Sequence, residues 1–248
     1  DAVTLTADSG LPEPGAILAT FAAEYPAASA EFVLAARTEA ELEAFLAEGA
    51  PIDHPSQILE QYAVDGLVGR RGREAVASAI AAVARAAEAS DHVPRLLVAE
   101  SGGRGLVARL APFARSGAVE ITVAGRDRGR LETLEARLAS ESGIRTLDIG
   151  DKGSAVYGFD LLLVDHTPGS AVDADLGGFV ARLADGGGVL VSAPPRDPTV
   201  DFHFGAVDGW FARSPEFSAP SVAEARRSLE AAGLVDVSAF SLGADCGA

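Results

Sequence analysis

The chain has 248 residues, enough for one large domain or a core with a smaller appendage. Its 48% hydrophobic content and mean hydropathy of +0.19 suit a well-buried globular protein rather than a disordered one. A net charge of −16 argues against a nucleic-acid partner, which needs a basic face to displace counterions, and against anionic membrane surfaces.

The first ninety residues read as helices alone, at 14–24, 28–36, 38–48, 55–64 and a long Ala-rich 72–90. They are separated by the turn-rich stretches GLPEPG, YPA, GAPIDHP and DGLVGRRG. Thr38 followed by Glu41 has the spacing of a capping box, which places a helix start at Thr38. From residue 95 the pattern changes to short apolar runs at 95–99, 119–124, 144–148, 160–164 and 188–192. Helical stretches near 105–115, 128–141 and 173–184 lie between them, followed by a helix at 221–232 and a strand at 234–240. Strands apolar on both faces and alternating with helices predict a mostly parallel sheet covered on both sides. The division expected is a helical lid subdomain over 1–90 and a Rossmann-like core over 91–248.

No apolar run reaches the roughly 18–20 residues needed to cross a bilayer, and no signal-peptide pattern opens the chain. Met is absent and the chain opens on Asp1, so a piece of a longer polypeptide is expected. The single Cys246 cannot form an internal disulfide, which suits a cytoplasmic protein. Lys152 is the lone lysine, a bias of composition rather than of function.

Several stretches resemble the C-methyltransferase domains of type I polyketide synthases. VDFHFGAVDGWFARSPEFSAPSVAEARRSLEAAGL (200–234) resembles their C-terminal part. LDIGDKGSAVYGFDLLLVD (147–165) is similar to their third strand, loop and fourth strand, and LADGGGVLVSAP (183–194) to their glycine turn and fifth strand. Upstream, EFVLAARTEAELEAFLAEG and ILEQYAVDGLVGRRGREAVASAIAAV resemble the family's helical lid. The resemblance implies a class I methyltransferase-like fold, S-adenosylmethionine as the cofactor of an active member, and a carrier-bound β-ketoacyl substrate.

The same comparison marks departures. Where the family has an acidic residue and Gly-x-Gly-x-Gly, this chain reads VAESGGRG: Glu100, Gly102, Gly103, Arg104 and Gly105 form a vestigial cofactor loop. Glycines there let the methionyl end of the cofactor lie against backbone, and a Cβ collides with it. Glu100 would also face the cofactor carboxylate. At about 4 Å and an effective dielectric near 20, like charges repel by roughly 4 kcal/mol, which is ~1000-fold in affinity. The end of the second strand, which implies an acidic ribose ligand, offers Gly125 and Arg126, with Asp127 late; Asp148 keeps the acidic position near the adenine. The family's His–Glu base pair is disrupted as well: His166 comes too early in register, and Ala193 stands for the glutamate. A base needs its orienting partner within hydrogen-bond reach.

Other chemistries find less support. GGRG lacks the Gly-x-Gly-x-x-Gly spacing of nicotinamide sites, since Ala108 takes the third glycine's place. VAGRDRGRL is similar to the second strand of short-chain reductases, but Lys152 precedes Tyr157 and no Tyr-x-x-x-Lys pair follows. His54, His92 and His203 are scattered with no metal-ligand spacing, so no metal is expected. Ser154, Ser170 and Ser192 lack a nucleophile elbow. Phe204, Trp210 and Phe211 are expected to pack between lid and sheet.

The expectation is a non-catalytic pseudo-methyltransferase domain of a multidomain polyketide or fatty-acid synthase, itself a transferase. It would act as a scaffold for neighbouring synthase domains, with the acyl carrier protein as a further partner and no cofactor, nucleic acid or membrane. Two alternatives stay open. One is an active S-adenosylmethionine-dependent C-methyltransferase with His166 as base; the other is a nicotinamide-binding reductase-like domain. A core and lid can persist after a site is lost, because unfolding exposes apolar surface whereas a loop can drift.

Overall fold

The structure, a computed structural model, describes residues 10, 12–55, 58, 61–62, 65–90, 92–99, 104–138, 143–151, 156–165, 176–192, 202–206 and 222–239. Helix α1 (Pro14–Glu24) opens on a proline, whose missing N–H has no partner in a first turn anyway. The break expected at Thr38 does not occur: α2 (Ser29–Glu48) runs straight through it. Thr38 is 1% exposed and faces inward, and Arg37 pairs with Glu41 at 2.6 Å along the helix. No Gly or Pro interrupts this Ala-, Glu- and Leu-rich stretch, so propagation continues until Gly49. Gly49 takes a left-handed conformation (φ 69°) and donates its N–H to the Phe45 carbonyl at 2.9 Å.

Of the helix expected at 55–64, residues 58, 61 and 62 are helical, as is residue 65 beyond it, and Pro55 is not; the others lie outside the described residues. Helix α3 (Leu67–Glu88) starts at Leu67, ahead of the expected 72. The reason is tertiary. The buried carboxylate of Glu31, on α2, accepts the Leu67 N–H and does the work of an N-cap that Gly66 cannot supply.

Strands β1 (Arg95–Ala99), β2 (Glu120–Gly125), β3 (Ile144–Asp148), β4 (Phe159–Asp165) and β5 (Leu183–Ser192) form one sheet. Their order is β3-β2-β1-β4-β5 and every pairing is parallel. Helices α4 (Arg104–Arg115), α5 (Arg128–Leu138), α6 (Leu176–Val180) and α7 (Val222–Ala231) supply the remaining layers. Strand alternation sorts the core into two faces. On one, Leu96, Val98, Ile121, Val123 and Leu163 pack against Val76, Ile80 and Ala84 of α3, Leu106 and Leu110 of α4 and Leu134 of α5. On the other, Leu97, Ala99, Leu162 and Val164 meet Leu176 and Phe179 of α6, with Leu229 of α7 partly buried against them. The architecture is the α/β, Rossmann-like one expected. Leu97 has no exposure at all, so Leu97→Ala is expected to lower unfolding free energy by about 2–5 kcal/mol in urea melts.

Two elements differ from expectation. Strand β5 begins at Leu183 instead of 188, because the Arg182 carbonyl accepts from both Gly158 and Phe159 N–H, at 2.9 and 3.2 Å, and seats Leu183 opposite Phe159. The extra residues then bulge: Leu161 pairs with Gly188, and a Cβ on Gly187 would come 2.9 Å from the Ala184 carbonyl oxygen. The expected helix over 173–184 is accordingly short, with α6 ending at Val180 and residues 173–175 outside the described residues. Residues 234–239 are not a strand, and residue 240 lies outside the described residues. Gly233 (φ 93°) and Asp236 (φ 57°) turn the chain, and Val235 stays 82% exposed. Among the described residues no helix is long and apolar enough to cross a membrane.

Candidate functional site

In open α/β sheets ligands bind beyond the carboxyl ends of the strands, where the strand order reverses. Here that point lies between β1 and β4. Glu100, Gly102 and Gly103 lie outside the described residues; Arg104 and Gly105 open α4.

At the end of β2, Asp127 is a helix cap. Its Oδ1 accepts the Arg130 N–H at 3.0 Å, its carbonyl accepts the Leu131 N–H at 3.0 Å, and its Oδ2 lies 3.4 Å from Arg130 Nε. Asp127→Ala is therefore expected to cost about 0.5–2 kcal/mol, and Asp127→Asn much less, in thermal or urea melts. Asp148 ends β3, opposite Gly125, and its Oδ1 accepts the Gly150 N–H at 2.8 Å. The ladder extends one bond further, Ile149 N–H to the Gly125 carbonyl at 2.9 Å. Arg126 is the first side chain beyond it, and it is exposed.

The end of β4 is built differently. Asp165 sits opposite Ser192 of β5 and is 3% exposed. Arg73, 1% exposed, reaches it from α3, Nη1 to Oδ2 at 3.9 Å, and donates from Nη2 to the Gly66 carbonyl at 3.3 Å. Burial raises the Asp165 carboxyl from 3.8 to about 6, with the guanidinium opposing. Burial also lowers Arg73, with Asp165 opposing. One turn-face away, Gly72 lies so close to Ser192 that a Cβ would meet its Oγ. His166, Ala193 and Asp208 lie outside the described residues.

Arg73 was not legible as a site residue. The available hint was an arginine at helical spacing with the apolar Val76 and Ile80, on the face of α3 that meets the sheet. Two of the scattered histidines are also brought together. His54 donates from Nε2 to the His203 carbonyl at 2.7 Å, and both rings pack edge-on against Phe204. Phe204 packs with Leu34 and Tyr62 in the helical part, while Trp210 and Phe211 lie outside the described residues. His92 is a surface residue 3.1 Å from Asp160. Among the described residues no three His, Cys, Asp or Glu side chains gather to hold a metal.

Among solved structures the chain is similar to the CurJ carbon methyltransferase, at 18% identity and a TM-score of 0.65 over 93% of this chain and 68% of that one. It is also similar to the citrinin polyketide synthase CMeT domain, at 16% identity and a TM-score of 0.62 over 94% of this chain and 65% of that one. This is a methyltransferase-like fold. At such identities the likeness is one of fold, and the chain spans about two thirds of the length of each structure. No family model and no curated protein matches the sequence.

S-adenosylmethionine, the cofactor that the resemblance implies, carries a ribose that would lie at the end of β2. A nucleotide ribose is held in such sheets by a carboxylate after β2. Here that carboxylate, Asp127, caps α5, and Arg126 takes the place beside it. The described residues do not fit the cofactor's ribose end.

Proposed function

We propose that this chain is a non-catalytic methyltransferase-like domain of a multidomain polyketide or fatty-acid synthase. It acts as a cytoplasmic scaffold for neighbouring domains and docks the acyl carrier protein without using a cofactor. The observation that carries this reading is the Arg73–Asp165 pair. The helical part inserts a guanidinium against the end of β4, and Gly72 closes on Ser192 beside it. These contacts bind α3 to the sheet at the end of β4, where substrate chemistry would take place, while buried apolar side chains pack against both faces of the central strands. Function resides in a site rather than a fold, so the fold can persist as a structural part.

One observation favours the alternative of an active C-methyltransferase. A carboxyl raised to about 6 at the end of β4 titrates close to the range useful to a general base. Against it, Asp165 is 3% exposed and its Oδ2 lies 3.9 Å from Arg73 Nη1. Deleting the domain from its parent synthase is expected to lower assembly or soluble yield, whereas His166→Ala in the intact synthase leaves product output unchanged. Loss of a methyl branch from the product of the His166→Ala synthase would overturn the scaffold reading.

A further inference from the structure

We propose that α1 and the outer face of α2 dock a second protein through a helix whose apolar centre is rimmed by lysine or arginine. The inference rests on the scaffold reading and assigns it a surface. Between Pro14 and Ala23, α1 carries no charged residue. Its one hydroxyl is satisfied within the helix, Thr20 Oγ1 donating to the Ala16 carbonyl at 2.9 Å. A helix that is apolar on every side is normally buried, yet no residue of α1 is. The cause is its place in the fold. Ala30, Leu34 and Thr38, at helical spacing, occupy the inward face of α2. Phe21 instead stacks on Phe32, on the opposite side of α2, with ring centroids 6.1 Å apart. So α1 lies against the outer side of α2. Phe21 is 44% and Tyr25 57% exposed, their rings 6.3 Å apart in one apolar surface.

Charge then selects the occupant. The outer face of α2 continues from Phe32 through Glu39 and Glu43 to the exposed Leu46, again at helical spacing. Glu39, Glu43 and Glu24, at the end of α1, are exposed and have no ion pair among the described residues. Arg37 is the only Lys or Arg ahead of Arg70, and Glu41 engages it at 2.6 Å. The surface is therefore apolar at its centre and acidic at its edge, with carboxylates that the helices around it do not neutralise. A second copy would bring the same carboxylates, and like charges facing each other disfavour pairing. Anionic lipid repels them too, and helices that lie in a bilayer surface carry the Lys and Arg that α1 lacks. A basic-rimmed helix meets both demands: its apolar ridge covers Phe21 and Tyr25, and its cations face Glu24, Glu39 and Glu43.

The test is fluorescence anisotropy of the full chain with two labelled amphipathic helical peptides that share one leucine face. One is rimmed by lysine and arginine, the other by glutamate. The basic peptide is expected to bind about 10-fold more tightly than the acidic one, a gap that narrows as salt rises. Glu39→Lys with Glu43→Lys is expected to weaken it about 5- to 20-fold, and Tyr25→Ala, which removes an exposed ring, also weakens it. The same charge change on α5, Glu132→Lys with Glu135→Lys, changes it far less. No binding of the basic peptide at millimolar concentration, equal affinity for both peptides, or equal effects of the two double reversals would each overturn the proposal. So would self-association in sedimentation that Tyr25→Ala abolishes, which assigns the face to a second copy, or flotation with phosphatidylcholine vesicles, which assigns it to lipid. In the parent synthase, Glu39→Lys with Glu43→Lys is expected to lower soluble yield as deleting the domain does. A yield that falls on deletion but not with these substitutions overturns this surface and leaves the scaffold reading standing.

Discussion

Incubated with a carrier-bound β-ketoacyl thioester and millimolar S-adenosylmethionine, the domain is expected to give no methylated product by mass spectrometry. Weak cofactor binding alone would not ensure this, since a saturating ligand overcomes a poor dissociation constant. The proposed reason is the base. Removing one positioned acid–base group costs about 10²–10⁴-fold in rate. By the family resemblance His166 is out of register, and Ala193 replaces the residue that would orient it. The next candidate along the chain, Asp165, is buried against Arg73. A mass gain of one methylene above the no-enzyme control would refute the silent reading and direct attention to His166, Asp165 or Asp208. A folded, cooperatively melting domain that gives no gain supports a scaffold.

Replacing Arg73 is expected to have the largest effect on stability. Both partners of the Arg73–Asp165 pair are nearly inaccessible, and for both groups burial outweighs the partner's attraction. Removing one partner of a buried pair typically costs about 3–5 kcal/mol. Arg73→Met is expected to fall in that range in urea melts at neutral pH, and Arg73→Met with Asp165→Leu to recover most of it, because no charge is then left behind.

The pH dependence has a definite sign. The folded-state pKa of Asp165 lies near 6, above its ordinary 3.8, so the folded form holds a proton that the unfolded form has lost across that interval. The associated stability is fully present below about pH 4 and is lost as pH rises through about 6, an effect on the order of 2–3 kcal/mol. Asp165→Asn is expected to be less stable but flat over this window. In Arg73→Met the opposing charge is gone, so the loss still begins near pH 4 but extends to higher pH. A wild-type curve parallel to that of Asp165→Asn between pH 4 and 7 would contradict this account.

Much of the core was written locally in the sequence. LLVA at 96–99, the apolar run before Gly125 and LLLV at 161–164 each carry enough consecutive apolar residues to form a strand buried on both faces, whatever lies beyond. The intervening helices follow from their periodicity in the same way, so the parallel α/β class was determined by short-range pattern alone. Asp148 at the end of β3 was likewise legible, through resemblance and strand length. What tertiary structure decided was everything that depends on a distant neighbour. Thr38 has the local form of a cap yet lies within α2, on the buried side of that helix. The start of α3 is set by Glu31 on another helix, and that of β5 by Arg182 meeting Phe159. Residues 234–239 have strand-like composition but no sheet edge beside them among the described residues, and β-propensity takes effect only where there is a strand to pair with. Arg73 and Asp165 are the extreme case. Each is an ordinary polar residue in its own segment, and only the packing of α3 onto the sheet removes both from water and couples their charges.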